Sequence, residues 1–251
     1  MRYLVTGGAG FIGSHLVEHR VTEGHQVVVL DDLSTGRVDN LNSVLDRIQL
    51  AEGSVTDPET CRAVMRQVDF VLHQAALTSV SRSVAEPMLA HDVNVSGTIN
   101  VLLAARDAGV RRVVYAGSTY GDGNQTRDFT FVTNVVHANL LACHAPTVRV
   151  AGQVFNVGCG RQVTINEVWH RIQQLVGVQL PARRADPRPG EVRHSFASIE
   201  NARVKLGYAP QVDFDEALRR TVDFYRRRAS ATDRPRATVP RRNSKARARE
   251  G

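Results

Sequence analysis

Through the first 116 residues, short apolar runs alternate with longer stretches in which apolar side chains recur at helical spacing. Residues 3–6 (YLVT) predict a short strand, 11–22 (FIGSHLVEHRVT) a helix and 26–30 (QVVVL) a second, buried strand. Strand-like runs follow at 47–51, 68–74 and 112–116, while Asp57 opens a helix over 58–67 and a long helix occupies 87–108. Strands alternating with helices predict an α/β fold built on a doubly wound parallel sheet. Ligands of such sheets bind beyond the carboxyl ends of the strands. That edge carries HQAALTSV after the fourth strand and AGST after the fifth, which makes Ala75, Ala76 and Ser118 candidate contacts.

Beyond residue 118 the pattern thins. VFNVGCG (154–160) predicts a strand, 165–176 an amphipathic helix and 214–227 a last helix, enough for a reduced second lobe beside the sheet. Residues 229–251 carry neither aromatic side chains nor apolar periodicity and predict a basic disordered tail. The expected division is therefore a cofactor domain over 1–118, a truncated substrate lobe over 119–228 and the tail.

Charge sharpens that division. The 251 residues carry a net +7, yet the stretch from Arg226 onward holds ten basic side chains against Asp233 and Glu250, a net +8 that leaves −1 for the rest. A basic tail attracts polyanions without sequence specificity, so no specific nucleic-acid partner is expected. No apolar run approaches the roughly 18 residues of a membrane span, and the first residues form a strand rather than a signal peptide. Those features predict a soluble, cytoplasmic chain with no membrane partner. Cys61, Cys143 and Cys159 lie far apart without CxxC spacing and read as reduced thiols rather than a disulfide framework or zinc site. His73 and His144 show no metal spacing and read as packing or surface residues.

The strongest chemical signal is the turn between the first strand and the first helix, TGGAGFIG. Its glycines at Gly7, Gly10 and Gly13 let a backbone turn sharply, approach a pyrophosphate and pack helix on strand. The helix N-terminus behind Phe11 and Ile12 would then face phosphates with unpaired N–H groups and a positive dipole end. Asp31, 18 residues beyond Gly13, ends the second strand. A carboxylate there accepts hydrogen bonds from adenosine ribose hydroxyls and repels a 2′-phosphate, which favours NAD over NADP.

TGGAGFIGSHL, LDDLSTG, HQAALTSVSRSVAEP, NVSGTINVLLAARDAGVRRVVYAGS, GDGNQTRDFTFV and RPGEVRHSFASIENARVKLGY, in that order, resemble the extended short-chain dehydrogenases, and within them the NAD-dependent UDP-sugar 4-epimerases. RDFTFVTNVVHANLLA is most similar to the UDP-N-acetylglucosamine and UDP-glucose branch, and the resemblance spans about residues 1 to 228. It implies a Rossmann domain with NAD as cofactor, a UDP-sugar partner and a homodimer. By resemblance, Gly7, Gly10, Phe11, Ile12 and Gly13 match the pyrophosphate turn and Asp31 the ribose ligand; Val55, Ala75, Ala76 and Asn94 match the surroundings of the NAD site. Arg127 and Arg188 match arginines that hold the UDP diphosphate, a task suited to a planar fork of donors. Ser54 stands where relatives often have the Asp that meets the adenine amine.

The same resemblance exposes a gap. The family's chemistry takes a hydride from C4 of the sugar to NAD and returns it to the other face, with a tyrosinate as base. A phenol with a pKa near 10 needs a nearby cation to serve as a base at neutral pH, which is the task of the lysine in Tyr-x-x-x-Lys. The only lysines here, Lys205 and Lys245, follow Asn201 and Arg241 at that spacing, so the motif is absent. YAGS is joined directly to TYGDGNQTRDF, which implies an internal deletion after Ser118 of roughly a third of the family's usual length. Ser118 could survive as a hydroxyl partner of the sugar, while Tyr120 falls in the downstream loop. The lost stretch includes one of the two helices through which relatives dimerise, and its loss predicts an uncovered sheet edge and face unless other segments take its place. Three readings follow: a UDP-hexose 4-epimerase by descent with impaired activity, a non-catalytic module that binds NAD or a nucleotide sugar, and an inactive gene remnant.

Overall fold

Tyr3, Leu4 and Val5 are all fully buried, although successive strand side chains point to opposite faces. The sheet that contains them must be covered on both sides. A computed structural model describes residues 1–116, 126–179, 194–196 and 198–232. In it β1 (Arg2–Thr6), β2 (Gln26–Asp31), β3 (Gln49–Glu52), β4 (Phe70–His73) and β5 (Arg112–Tyr115) form one parallel sheet in the order β3-β2-β1-β4-β5. Thr6 lies in register with Leu30 on one side and His73 on the other, so three strands end together at the carboxyl edge.

One face of the sheet, carrying Tyr3, Val5, Val29, Phe70 and Leu72, packs on Leu16 and Val17 of α1 (Phe11–Thr22). The other, carrying Leu4, Val28, Leu30 and Val71, packs on Cys61 and Val64 of α2 (Pro58–Val64) and on Val101, Ala104 and Ala105 of α5 (Gly97–Asp107). α3 (Val80–Ala85) and α4 (Pro87–His91) lead into α5 through a π turn at Asp92–Ser96, so the long helix expected over 87–108 is interrupted. α2 also stops earlier than expected, because the chain turns at Gln67 with φ 58°.

The expected uncovered face is filled on the α1 side. α6 (Val132–His144) lies beside α1 and β5 and places Val136 and Cys143 in the same core as Tyr3 and Phe70. Arg112 of β5 fastens its end: Nη1 donates to the carbonyls of Ala142, Cys143 and Ala145 at 2.7, 2.9 and 2.7 Å, and Nη2 to Thr147 Oγ1 at 2.7 Å. These carbonyls have no partner further along the helix, so a cation is well placed there. On the opposite side, Ile99 and Leu102 of α5 remain about half exposed.

α6 also faces the second lobe. Its Ala138 joins Val150 of α7 (Thr147–Val150) with Ala202 and Leu206 of α9 (Glu200–Leu206), and with Tyr208. Buried Asn134 accepts from the amides of Gln211 and Val212 and donates to the Val212 carbonyl. β6 (Thr126–Arg127) lies between antiparallel β7 (Val163–Thr164) and parallel β8 (His194–Ser195), followed in space by α8 (Ile165–Val176) and α10 (Phe214–Thr232). Two expectations need correction. Residues 154–160 form no strand, because Asp128 takes the Cys159 and Gly160 amides at 2.8 Å each and Tyr208 donates to the Gly158 carbonyl at 2.9 Å. α10 continues past 227 to Thr232, into the stretch expected to be disordered from 229; residues 233–251 lie outside the described residues.

Candidate active site

A cleft of about 390 Å³ opens where β1, β2 and β4 end. Gly7, Gly10, Phe11, Ile12 and Gly13 form one wall, Asp31 and Val55 another, and Ala75 and Ala76 a third. Two glycines are required by contact. Gly7 has φ +65°, and a Cβ there would lie 2.7 Å from the Ala75 nitrogen; a Cβ on Gly13 would lie 2.1 Å from the Gly7 carbonyl oxygen.

The turn delivers α1 to the cleft with its N-terminus uncapped: Gly10 supplies no side-chain hydrogen bond, and no acid lies in the first turn. α2 and α8, by contrast, are capped by the side chains of Asp57 and Thr164. The first N–H groups of a helix have no partner within it, so α1 presents an anion site to the cleft. Asp31 is 6% exposed; its Oδ2 accepts from the Ala9 amide and its Oδ1 from the Leu33 amide, both at 2.9 Å. Those bonds fix the carboxylate at the mouth of β2 with lone pairs to spare. The residues therefore fit a dinucleotide: donors for a pyrophosphate, a fixed acceptor for ribose hydroxyls, and Val55 with Ser54 for an apolar and a polar edge of a base.

Asn94 does not line this cleft. It acts one residue removed, its Oδ1 accepting from the Leu77 amide at 2.7 Å and its Nδ2 donating to the Leu77 carbonyl at 3.2 Å. Leu77, Gln74, Thr78 and Arg82 were not singled out from the sequence, yet all line the cleft. The signal was present, since all follow β4 at the carboxyl edge. Arg82 carries its charge to the rim, where Nε donates to Glu86 at 3.1 Å.

The candidate substrate residues are not brought together in the same way. Arg127 sits in β6, the middle strand of the small sheet, away from the cleft walls. Ser118, Tyr120 and Arg188 lie outside the described residues. Among the described tyrosines, Tyr3 and Tyr208 are fully buried, and burial raises both phenol pKa values. Tyr115 and Tyr225 are exposed. Lys205 belongs to α9, where its ammonium donates to Gln153 Oε1 at 2.7 Å. A second cleft of the same volume, between α8 and α10, is walled by charges that pair with one another, Arg171 with Asp215 and Arg219 with Glu216. Among the described residues no His, Cys, Asp and Glu group could hold a metal, and no helix is long and apolar enough to cross a membrane. The three thiols are free, and burial pushes those of Cys61 and Cys143 up to about 11 and about 12.

The model of the NAD dependent epimerase/dehydratase family matches residues 3–124, and that of GDP-mannose 4,6 dehydratase residues 114–221. The UDP-glucose 4-epimerase of Mycolicibacterium smegmatis is 30% identical over 315 residues, an alignment that takes in 91% of this chain and 100% of that protein. Since 91% of 251 is about 228, roughly 87 of those positions face no residue of this chain. The chain is thus shorter than its relative within the aligned span, and the two family models overlap at 114–124. Among solved structures, the UDP-glucose 4-epimerase of Thermotoga maritima with UDP-glucose superposes with a TM-score of 0.83 at 26% identity, covering 91% of this chain and 100% of that one. The UDP-glucose 4-epimerase of Thermus thermophilus in complex with NAD does so with a TM-score of 0.77 at 27% identity, covering 90% and 99%.

Proposed function

The chain belongs to the NAD dependent epimerase/dehydratase family, and on that premise we propose that it is a UDP-hexose 4-epimerase by descent that holds NAD and a UDP-sugar but turns over poorly or not at all. One observation carries the proposal: a cleft at the strand ends lined by Gly7, Gly10, Gly13 and Asp31 in a chain with no Tyr-x-x-x-Lys anywhere. Gly7, Gly10 and Gly13 admit the pyrophosphate to the N–H groups behind Phe11 and Ile12. Asp31 binds the adenosine ribose, Val55 lies against adenine, and Ala75 and Ala76 leave room for the rest of the cofactor, with Asn94 behind them. NAD, when bound, supplies the reversible oxidation at C4 on which epimerisation depends.

Arg127 and Arg188 hold the diphosphate of the UDP-sugar, and Ser118 is the one candidate left to meet the sugar hydroxyl. No cation stands four residues beyond any tyrosine to stabilise a phenolate, so the proton on the sugar hydroxyl has no efficient acceptor. The exposed Ile99 and Leu102 of α5 support pairing of two copies through that helix. Calorimetric titration with NAD, followed by an assay interconverting UDP-glucose and UDP-galactose, tests the reading. Binding without interconversion is the expected result. Interconversion at a rate ordinary for enzymes, about 1 per second or more, would refute the impairment, and absence of NAD binding would refute the cofactor site.

A further inference from the structure

His73 is 1% exposed and fills the space between the end of β1 and α5. Its Nδ1 lies 2.6 Å from Thr6 Oγ1 and its Nε2 3.1 Å from Thr98 Oγ1. The neighbours assign the direction of both bonds. Thr98 already donates its single hydroxyl proton to the Asn94 carbonyl at 2.8 Å, so it can only accept from the imidazole, which places the ring proton on Nε2. Nδ1 is then a bare acceptor for the Thr6 hydroxyl, and Thr6 Oγ1 in turn accepts from the Ala75 amide at 3.3 Å. The other end of the chain closes on the same segment, because Asn94 brackets the backbone of Leu77 with its side-chain amide. Ala75 and Leu77 both line the cofactor cleft, whereas Thr98 does not.

We propose that His73 is a positioning residue of that cleft: its neutral ring joins Thr6 to Thr98 in a one-way relay that clamps the 75–77 wall at both ends. The inference rests on the NAD reading above and adds to it a group that never touches the cofactor. Both of its ring nitrogens are used, and an apolar residue of the same size would leave the buried Thr6 hydroxyl and the half-buried Thr98 hydroxyl each one partner short. The relay also ties the cleft to the π turn, since Asn94 and Thr98 flank its end.

Thr98→Val removes the hydroxyl while keeping the shape of the side chain, and Thr98→Ser keeps the hydroxyl. Val101→Ala, in the core face of the same helix, serves as the control for general loosening. Three quantities are read: amide hydrogen exchange at Ala75 and Leu77, the NAD dissociation constant, and the ¹⁵N spectrum of the His73 ring. Thr98→Val is expected to speed exchange at both amides and weaken NAD roughly tenfold, the loss typical when one partner of a hydrogen bond is removed. Thr98→Ser restores both, and Val101→Ala lowers the melting temperature while leaving both unchanged. A wild-type ring protonated on Nδ1 overturns the relay. So does a Thr98→Val protein with wild-type exchange and affinity, or a Val101→Ala protein that weakens NAD as much. If the wild type binds no NAD while Thr98→Val still speeds exchange at Ala75, the clamp stands and the cofactor reading is what fails.

Discussion

Acid should unfold this protein in a way traceable to one ring. Burial pulls the His73 imidazole from 6.5 down to about 4, and no charged neighbour contributes. The groups facing it are the uncharged hydroxyls of Thr6 and Thr98 and the ring of Tyr115, stacked at 5.5 Å. As pH falls below 6.5 the unfolded chain takes up a proton that the folded chain refuses until about pH 4. Stability is therefore fully present above pH 6.5 and drains away across that window. At about 1.4 kcal/mol per pH unit, the gap corresponds to roughly 3 kcal/mol. That is a large share of the roughly 5–15 kcal/mol that holds an ordinary domain together. His15, His25 and His144 are lowered too, chiefly by burial, and act in the same direction. The measurement must therefore be a difference. Urea unfolding followed by circular dichroism at pH steps from 7.5 to 4, for wild type and His73→Gln, isolates the ring. The wild type should lose roughly 3 kcal/mol more than the variant between the two ends of the series. Equal losses would show that His73 is not held neutral, and a loss in the variant that exceeds the wild type's would reverse the sign of the argument.

Other substitutions test separate parts of the structure. Gly13→Ala drives a methyl into the Gly7 carbonyl; it should cost about 1–3 kcal/mol and abolish the rise in melting temperature that NAD produces, which thermal melts with and without NAD would check. Arg112→Met strips three carbonyls at the end of α6 of their shared donor. A loss of about 1–3 kcal/mol is expected, together with faster hydrogen exchange in the last turn of α6; unchanged exchange there would refute the fastening role. Asp128→Asn leaves only one acceptor oxygen for the amides of Cys159 and Gly160. Chemical-shift changes should concentrate at residues 158–160 and Tyr208 while NAD affinity stays at the wild-type value.

The elements most legible in the sequence were those whose neighbours in space are also neighbours in the chain. The helices over 11–22 and 165–176 end where their spacing and caps say they should, Thr164 accepting from the Glu167 amide and Gly177 closing the second at φ 77°. Strands of the main sheet were legible because burial on both faces writes an unbroken apolar run, as in Val27 to Leu30. VFNVGCG carries a similar run but misled, since a strand needs a partner and Asp128 and Tyr208 claim its backbone groups first. The helix over 132–144 escaped for the opposite reason. It packs against the sheet through Val136 and against the second lobe through Ala138, so apolar residues wrap around it and no single stripe stands out.

The same distinction separates the site into two parts. Gly7, Gly13 and Asp31 could be read locally because their task is to shape one turn and end one strand. The relay through His73 could not, because its partners stand 67 residues before it and 25 after it. Every residue that lines the cofactor cleft precedes residue 94, and the helix that closes the α1 face of the sheet begins at Val132, fastened by Arg112. The α1 face is therefore covered and the cleft walls stand together in a chain whose sequence has no Tyr-x-x-x-Lys. The proposed function makes cofactor binding and turnover separable, which is why binding and catalysis must be measured independently.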